Sequence, residues 1–488
     1  MHSYLQLAVA AALMVLLYVL ARCIYLLVFH PLAKYPGLKL AALTEYWYAF
    51  SWASGNYPHI MYAAHEKHGT VIRTGPNKLS FATVQAHHDI YGHKPLFRKS
   101  EWYTGGLPGG IVFERDPIEH AHIRKALSPK SSILDLTKTI PKLVAGFHED
   151  EKSQTVTIDV CRLFTMFTFD TIGMITMGKS FNSLSTNTLH PLAELMHMGA
   201  YAATLKPLRR RLWFFDQFIR LRSAEKDPAK LRAKHLAILR VEIEQCAALG
   251  TAIDGGDIAT RVLRQQTLDE NLLIANAVNL LIAGSETVAT GLSNATFLLL
   301  QNEPCLQQLK SEIRGTFSSE MDITGDTTAK LPYLKAVIDE TLRILPPSPF
   351  GQSRTSPGAT VDGLYIPPGV DVSVDIWSLQ HSARYWKDPW TFRPERWIKG
   401  EHDTADEKGG VEANLQDNKE AFQPFSEGPR ACLGMGLTFL EMRIMLAKLV
   451  WLYDWELDSR SRDWLKGLKL NFMWRKPELL VRFSPRLD

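Results

Sequence analysis

The sequence predicts a mainly α protein with a small β region, entered through an N-terminal transmembrane helix. Three observations predict this. A run from about Leu268 to Leu300 keeps helical character, and its centre, Leu272 to Gly284, is apolar nearly all round, as a helix crossing a large core is. Leu331, Leu334, Val337, Ile338, Thr341, Leu342 and Leu345 recur at helical spacing. Met1 to Ala21 contains no Lys, Arg, Asp or Glu, and about 20 apolar residues suffice to cross a bilayer.

The elements follow in order. The apolar start continues past Arg22 through Ile24 to Phe29, and Arg22 sits where it can snorkel to the membrane surface. A cleaved secretory signal is the alternative, but such signals begin with basic residues and have a shorter apolar part. Here the positive charges Arg22, Lys34 and Lys39 follow the span, which places the body on the cytosolic side. His30-Pro31 to Tyr35-Pro36-Gly37 cannot continue a helix and reads as a stiff hinge. The expected division is an anchor over 1–29, a hinge over 30–45 and a main body over 46–488. Gly69–Gly75 and Lys78–Val84 read as a strand hairpin. A helix starts near Asp116-Pro117, and another covers Asp159 to Met177. Leu205 to Phe218 mixes Arg209, Arg210 and Arg211 with Trp213, Phe214 and Phe215. It suits a membrane interface, and equally an amphipathic helix packed on the protein itself. Pro346-Pro347 ends the Leu331–Leu345 helix. Ala359–Ser373 and Leu468–Trp474 read as strand and turn, His402–Glu420 as a solvated loop, and Leu433–Leu457 as a buried helix.

Composition narrows the function. A 46% hydrophobic chain of 488 residues supports a substantial core, and no Ser/Gly-rich linker divides it. Net charge is only +4 with both signs dispersed, so nothing recommends nucleic acid as a partner. Cys23, Cys161, Cys246, Cys305 and Cys432 are scattered and odd in number, which is no disulfide framework. Asn294-Ala-Thr296 is a glycosylation sequon by chance, because it falls in an apolar helix. No GxGxxG following a strand, HExxH, GxSxG or P-loop occurs. The chain therefore carries no visible nicotinamide-, flavin- or nucleotide-binding signature of its own.

The chemistry concentrates in Phe425-Ser-Glu-Gly428-Pro-Arg430-Ala-Cys432-Leu-Gly434. A lone cysteine is ordinarily a small core residue. Here Gly428 and Gly434 allow a tight backbone path with amides turned inward, and such amides stabilise a thiolate. Ala283-Gly284-Ser-Glu286-Thr287 places a glycine, an acid and a hydroxyl within the apolar helix. Glu286 is able to relay protons into a dry site, Thr287 offers a hydroxyl, and Gly284 permits local opening or close approach of a ligand. Glu340 and Arg343 lie three apart on an apolar helix, which suggests a buried ion pair; such a pair needs further partners, and Phe392-Arg-Pro394-Glu395-Arg396-Trp397 supplies Arg396.

This order of motifs resembles the cytochrome P450 family of haem-thiolate monooxygenases, and particularly its fungal microsomal members. Phe-x-x-Gly-x-Arg-x-Cys-x-Gly resembles the haem-binding signature, Glu286-Thr287 the acid–alcohol pair, and Glu340, Arg343 and Arg396 the ExxR and PER elements. The hinge also resembles the family's, with Leu38 where a further proline is common. The resemblance implies haem b ligated through Cys432, with Phe425 and Gly434 shaping that loop. It assigns Arg430, Arg354, His120 and Arg124 to the haem propionates and gives Glu340, Arg343 and Arg396 a structural role. It suggests Asn279, Ala283, Pro349, Phe350 and Phe113 as pocket walls. It further implies oxygen insertion from O2 into a hydrophobic small molecule such as a terpenoid or polyketide intermediate. Epoxidation, desaturation or ring formation on the same fold remain open, as does a non-catalytic haem carrier. Implied partners are a separate NADPH-dependent flavoprotein reductase, cytochrome b5 and the endoplasmic reticulum bilayer. Lys125 and Lys130 form either a docking patch for an acidic electron-transfer partner or a solvated face.

Overall fold

The computed structural model describes residues 2–92, 97–104, 110–127, 155–193, 258–398 and 417–486, with a few isolated positions between 233 and 241. The basic-aromatic segment at 209–215, Lys130, Cys246 and most of the polar loop at 402–416 lie outside the described residues.

Helix α1 (His2–Ile24) runs on into a π-helical turn at Tyr25–Phe29. Over Tyr4–Phe29 the chain is long and apolar enough to cross a membrane, and its most apolar stretch packs against nothing in the body. The proline-rich segment that follows is docked: Leu32 is fully buried, and the backbone amide of Arg73 donates to Pro36 O at 2.7 Å. The buried Arg73 guanidinium donates to Leu26 O at 2.7 Å and to Pro76 O at 2.7 Å. It thereby satisfies a carbonyl at the helix end that has no intrahelical partner.

The body is mainly helical. Those elements that position the site are α2 (Val84–Tyr91), α3 (Pro117–Leu127), α4 (Val160–Met177), α5 (Glu270–Gln301), α6 (Pro332–Ile344) and α7 (Met435–Leu452). Asp269 caps α5, its side chain accepting from the Leu272 amide at 2.9 Å. The large core joins α4 through α7, with Phe164, Phe167, Leu292, Val337, Ile338, Met442 and Leu446 among its buried residues. Asn294 lies inside this core and donates to Leu345 O at 2.7 Å, so it is no glycan site.

The β region is small. Strands β1 (Val71–Gly75), β2 (Lys78–Phe81), β8 (Asp371–Val374), β5 (Arg354–Thr355) and β3 (Arg98–Lys99) form one sheet in the order β1-β2-β8-β5-β3. Only the β2–β8 pairing is parallel. A second, antiparallel sheet orders β4 (Val156–Asp159), β12 (Leu480–Pro485) and β9 (Tyr453–Leu457). Hairpins β6 (Ala359–Val361)–β7 (Leu364–Ile366) and β10 (Lys469–Asn471)–β11 (Met473–Arg475) complete it.

Two local expectations are corrected. The helix expected over Leu433–Leu457 ends at Leu452, and Tyr453–Leu457 is strand β9. There Tyr453 and Trp455 are buried while Glu456 is exposed; this period-two pattern is satisfied only because the distant β12 pairs with it. Helix α5 passes through Gly284 without a break. A Cβ on Gly284 would lie 2.6 Å from Ile172 Cδ1, so close packing on α4 accounts for this glycine, not local opening.

Candidate active site

The cysteine loop is built from its backbone outward. The Cys432 amide donates to Phe425 O at 2.9 Å, closing the loop on itself. The Phe425 ring packs on Phe439 of α7 with centroids 5.4 Å apart. Gly428 has φ +72°, and a Cβ there would meet Tyr91 O at 2.1 Å; the end of α2 therefore presses on the loop. Gly434 has an ordinary φ of −92°. Of the two glycines, only Gly428 is demanded by backbone conformation.

Cys432 stands three residues before α7, and the amides of Gly434 and Met435 reach its sulfur. Burial pushes the thiol up; the Gly434 amide, the Arg124 charge and the Met435 amide oppose it. Free donors at a helix start favour the thiolate. Although its sulfur is shielded from bulk water, Cys432 is accessible, as are Met435 and Gly436. On α5, Ala283 is accessible in the middle of a helix whose flanks are buried. Both sets lie two turns before the place where Gly291 and Met442 bring α5 and α7 together, a Gly291 Cβ falling 3.1 Å from Met442.

A cluster of cations adjoins the loop. Arg124 of α3 donates to Ala431 O at 2.6 Å, and Arg430 donates to Glu114 O at 2.7 Å and Arg115 O at 3.0 Å. Arg354, 2% exposed, lies over the Tyr91 ring at 5.1 Å. Strand pairing sets Lys99 opposite Arg354, and Lys99 Nζ donates to Ile111 O and Val112 O at 2.9 and 2.8 Å. Burial, then Arg430, Lys99, Arg124 and Arg354, push His120 down to about 3. Burial, then Arg430 and Arg354, push Lys99 down to about 6. Arg430 falls to about 10, from burial and then Arg354. Positive charge packed this closely, with Glu114 and Asp116 as the carboxylates acting on it, has the donor chemistry to hold two more carboxylates. Cys432, Arg430, His120, Arg124 and Arg354 are thus brought together. Lys99 is an addition the sequence reading missed; its only sign was a basic residue in a short segment following Phe97 that burial later claims.

The structural triad is fully buried. Arg343 makes a two-pronged contact with Glu340 at 2.9 and 2.8 Å, and Arg396 Nε donates to Glu340 Oε1 at 3.0 Å. Trp397 Nε1 donates to Glu340 Oε2 at 2.9 Å, while Asp417 takes the other side of Arg396 at 2.7 Å. From here a path leads to the cysteine loop. Arg343 donates to Gln380 O, Gln380 Nε2 donates to Arg343 O at 2.8 Å, and Gln423 N donates to Gln380 Oε1 at 3.1 Å. Gln423 is two residues before Phe425. Neither Asp417 nor Gln380 had any sequence signal marking it.

Glu286 and Thr287 occupy different faces of α5. Thr287 is partly accessible, its hydroxyl donating to Ala283 O at 2.6 Å. Glu286 is buried and ion-paired with Lys476. Of the expected pocket walls, Ala283 is accessible, while Asn279 is buried and donates to Ala275 O at 2.6 Å. Pro349 is buried and its carbonyl accepts from Trp377 N, and Phe113 is half-buried. Phe350 joins an aromatic group with Trp52 at 5.1 Å and Phe472 at 5.6 Å.

A family model described as cytochrome P450 matches residues 37–483. The chain belongs to the cytochrome P450 family. It is similar to cytochrome P450 monooxygenase BOA3 of Botryotinia fuckeliana, 36% identical over 94% of this chain and 93% of that protein. It is also similar to cytochrome P450 monooxygenase poxC of Penicillium oxalicum, 36% identical over 97% and 93% of the two chains. Cytochrome P450 monooxygenase aclL of Aspergillus oryzae is 32% identical over 96% of each. This P450 is accordingly an oxidoreductase of the monooxygenase type that uses O2, and its family implies haem iron with a cysteine thiolate ligand.

Proposed function

We propose that this P450 is held in the endoplasmic reticulum membrane by residues 1–29 and oxygenates a hydrophobic intermediate of fungal secondary metabolism. Hydroxylation of a terpenoid or polyketide is the expected outcome. The carrying observation is Cys432, accessible and bonded by helix-start amides, next to the Arg124–Arg354–Arg430–Lys99 cluster. That donor set fits haem b: one thiolate for the iron, and three arginines for two propionates. Bound haem supplies the oxygen-activating redox chemistry.

The protein's own residues do the rest. Cys432 would provide the electron-rich ligand, and the amides at Gly434 and Met435 favour its ionised form against the burial that raises the thiol. Arg124, Arg354, Arg430, Lys99 and His120 orient the cofactor by its carboxylates. Thr287 presents a hydroxyl on the accessible face of α5, and Glu286, one residue earlier, holds the acid for proton delivery. Phe350, Trp102 and Phe472 offer an aromatic wall for an apolar substrate. Electrons come from a separate NADPH-dependent flavoprotein reductase, with cytochrome b5 as a second donor, since no nicotinamide or flavin motif occurs in the chain.

The test is the reduced carbon-monoxide spectrum of the full-length protein. Wild type is expected to give the thiolate-type band and Cys432→Ala to lose it; an unchanged band in the variant refutes the assignment. Metabolite profiling of a strain lacking the chain then identifies the substrate through the precursor that accumulates.

A further inference from the structure

The Glu286 carboxylate does not face the same way as the Thr287 hydroxyl. It is paired with the Lys476 ammonium, both side chains 5% exposed. The Thr290 hydroxyl completes the group, accepting from Lys476 Nζ at 2.9 Å and lying 3.4 Å from Glu286 Oε1. A buried carboxylate needs such partners to stay charged.

Lys476 belongs to a segment that reaches the substrate side. It directly follows β11, and the β10–β11 tip is Phe472, held at φ +61°. The Phe472 ring meets Phe350 at 5.6 Å and stacks on Trp102 at 5.7 Å. On either side of Lys476 the chain is fixed: Trp474 Nε1 donates to Pro346 O and Trp464 Nε1 donates to Pro477 O, both at 2.9 Å. Only the three residues of β11, Met473–Arg475, therefore separate the aromatic wall from the cation on the acid.

We infer that Lys476 is a positioning residue for proton delivery, holding the Glu286 carboxylate against α5 and tying its placement to the substrate-facing β10–β11 hairpin. The inference rests on the haem-thiolate reading above. The other titratable groups facing this pair are few among the described residues. The Cys161 thiol on α4, pushed up to about 12 by burial, is neutral. Asp159, raised by burial, spends its carboxylate on the Leu479 and Cys161 amides, with Glu478 beyond it. Among the described residues, Lys476 is the cation ion-paired with Glu286, and both side chains are buried.

The test uses full-length haem-loaded protein carrying Lys476→Met, Lys476→Arg, Glu286→Gln, or Lys476→Met with Glu286→Gln. Two readouts are taken: thermal unfolding midpoints, and the fraction of consumed NADPH that ends as peroxide, as a function of pH with reductase present. The midpoint losses of Lys476→Met and Glu286→Gln are expected to be non-additive, the double variant losing less than their sum. The peroxide profile of Lys476→Met is expected to move by about one pH unit or more, and Lys476→Arg to restore it. Additive midpoints, or a profile unmoved by Lys476→Met, overturn the inference. A wild-type protein without the thiolate-type band overturns the haem-thiolate reading and this inference with it. A normal band with an unmoved profile overturns this inference alone.

Discussion

Gly428 shows how much a single residue carries in the cysteine loop. Its positive φ is one constraint; the other is Tyr91 O, 2.1 Å from where a Cβ would stand, with Gly92 O at 2.8 Å. Both contacts are backbone, so no side chain can swing away. Gly428→Ala is expected to cost about 1–3 kcal/mol from φ strain alone, and more from the contact. A lowered urea midpoint together with reduced haem content would check it. Gly434→Ala serves as the contrast: its φ is ordinary and its Cβ would lie 4.0 Å from Cys432 Sγ, so its backbone has no comparable cost. Thr287 is the second residue whose role is separable from folding. Among the described residues its hydroxyl bonds along its own helix to Ala283 O, so Thr287→Ala is expected to keep haem and fold while diverting more NADPH to peroxide. A peroxide assay against product formed measures this; unchanged coupling removes Thr287 from proton delivery.

At the scale of elements, α6 and the 3-10 turn at Pro394–Trp397 form the buttress behind the loop. Arg396 binds Glu340 on one side and Asp417 on the other, entirely out of solvent. Arg396→Ala leaves both carboxylates short of a partner in the core, for which about 3–5 kcal/mol is the usual cost. Chemical denaturation should show this loss, and haem binding should weaken with it, because Gln380 and Gln423 pass the triad's position on to Phe425. Glu340, Arg343 and Arg396 were legible in the sequence because charges inside an apolar helical pattern stand out. Asp417 was not, since it closes a polar stretch with no periodicity. The helix α5 was legible to within two residues at its start, from the apolar helical run that begins near Leu268. The end of α7 was not: Leu449 to Leu457 is as apolar as the helix before it, and only β12, some 25 residues later, turns Tyr453–Leu457 into a strand. Local pattern carries helices; sheet pairing over long sequence separations carries the rest.

At the scale of the whole molecule, the N-terminal apolar helix and the body meet through Arg73. Removing residues 2–29 takes away the Leu26 carbonyl, but Gly75 O and Pro76 O remain as acceptors. The truncated protein is therefore expected to leave the membrane fraction while losing only about 1 kcal/mol of stability, measured by fractionation and unfolding. Acid is the broader challenge, because several histidines are buried as neutral bases. His65 donates from Nδ1 to Gly69 O at 3.0 Å and accepts from Ser80 at Nε2, 2.9 Å away; burial pushes it down to about 4. Burial likewise pushes His87 to about 4, against the pull of Glu427, and His381 to about 3. In the unfolded chain each titrates near 6.5. Below that pH the unfolded state takes up protons that the folded state refuses, so their stabilisation is complete above 6.5 and is lost as pH falls toward 4. Asp375 acts in the opposite sense: burial raises it to about 7, so the folded state gains by binding a proton between 7 and the ordinary 3.8. His120, pushed down to about 3, adds a fourth such histidine, and Glu441, raised by burial, joins Asp375 on the other side; the four histidines outweigh the two carboxyls. The unfolding free energy is expected to be roughly 3 kcal/mol lower at pH 5 than at pH 7, and His65→Gln should make that slope shallower. A free energy flat across this range would mean that these rings are already protonated in the folded protein.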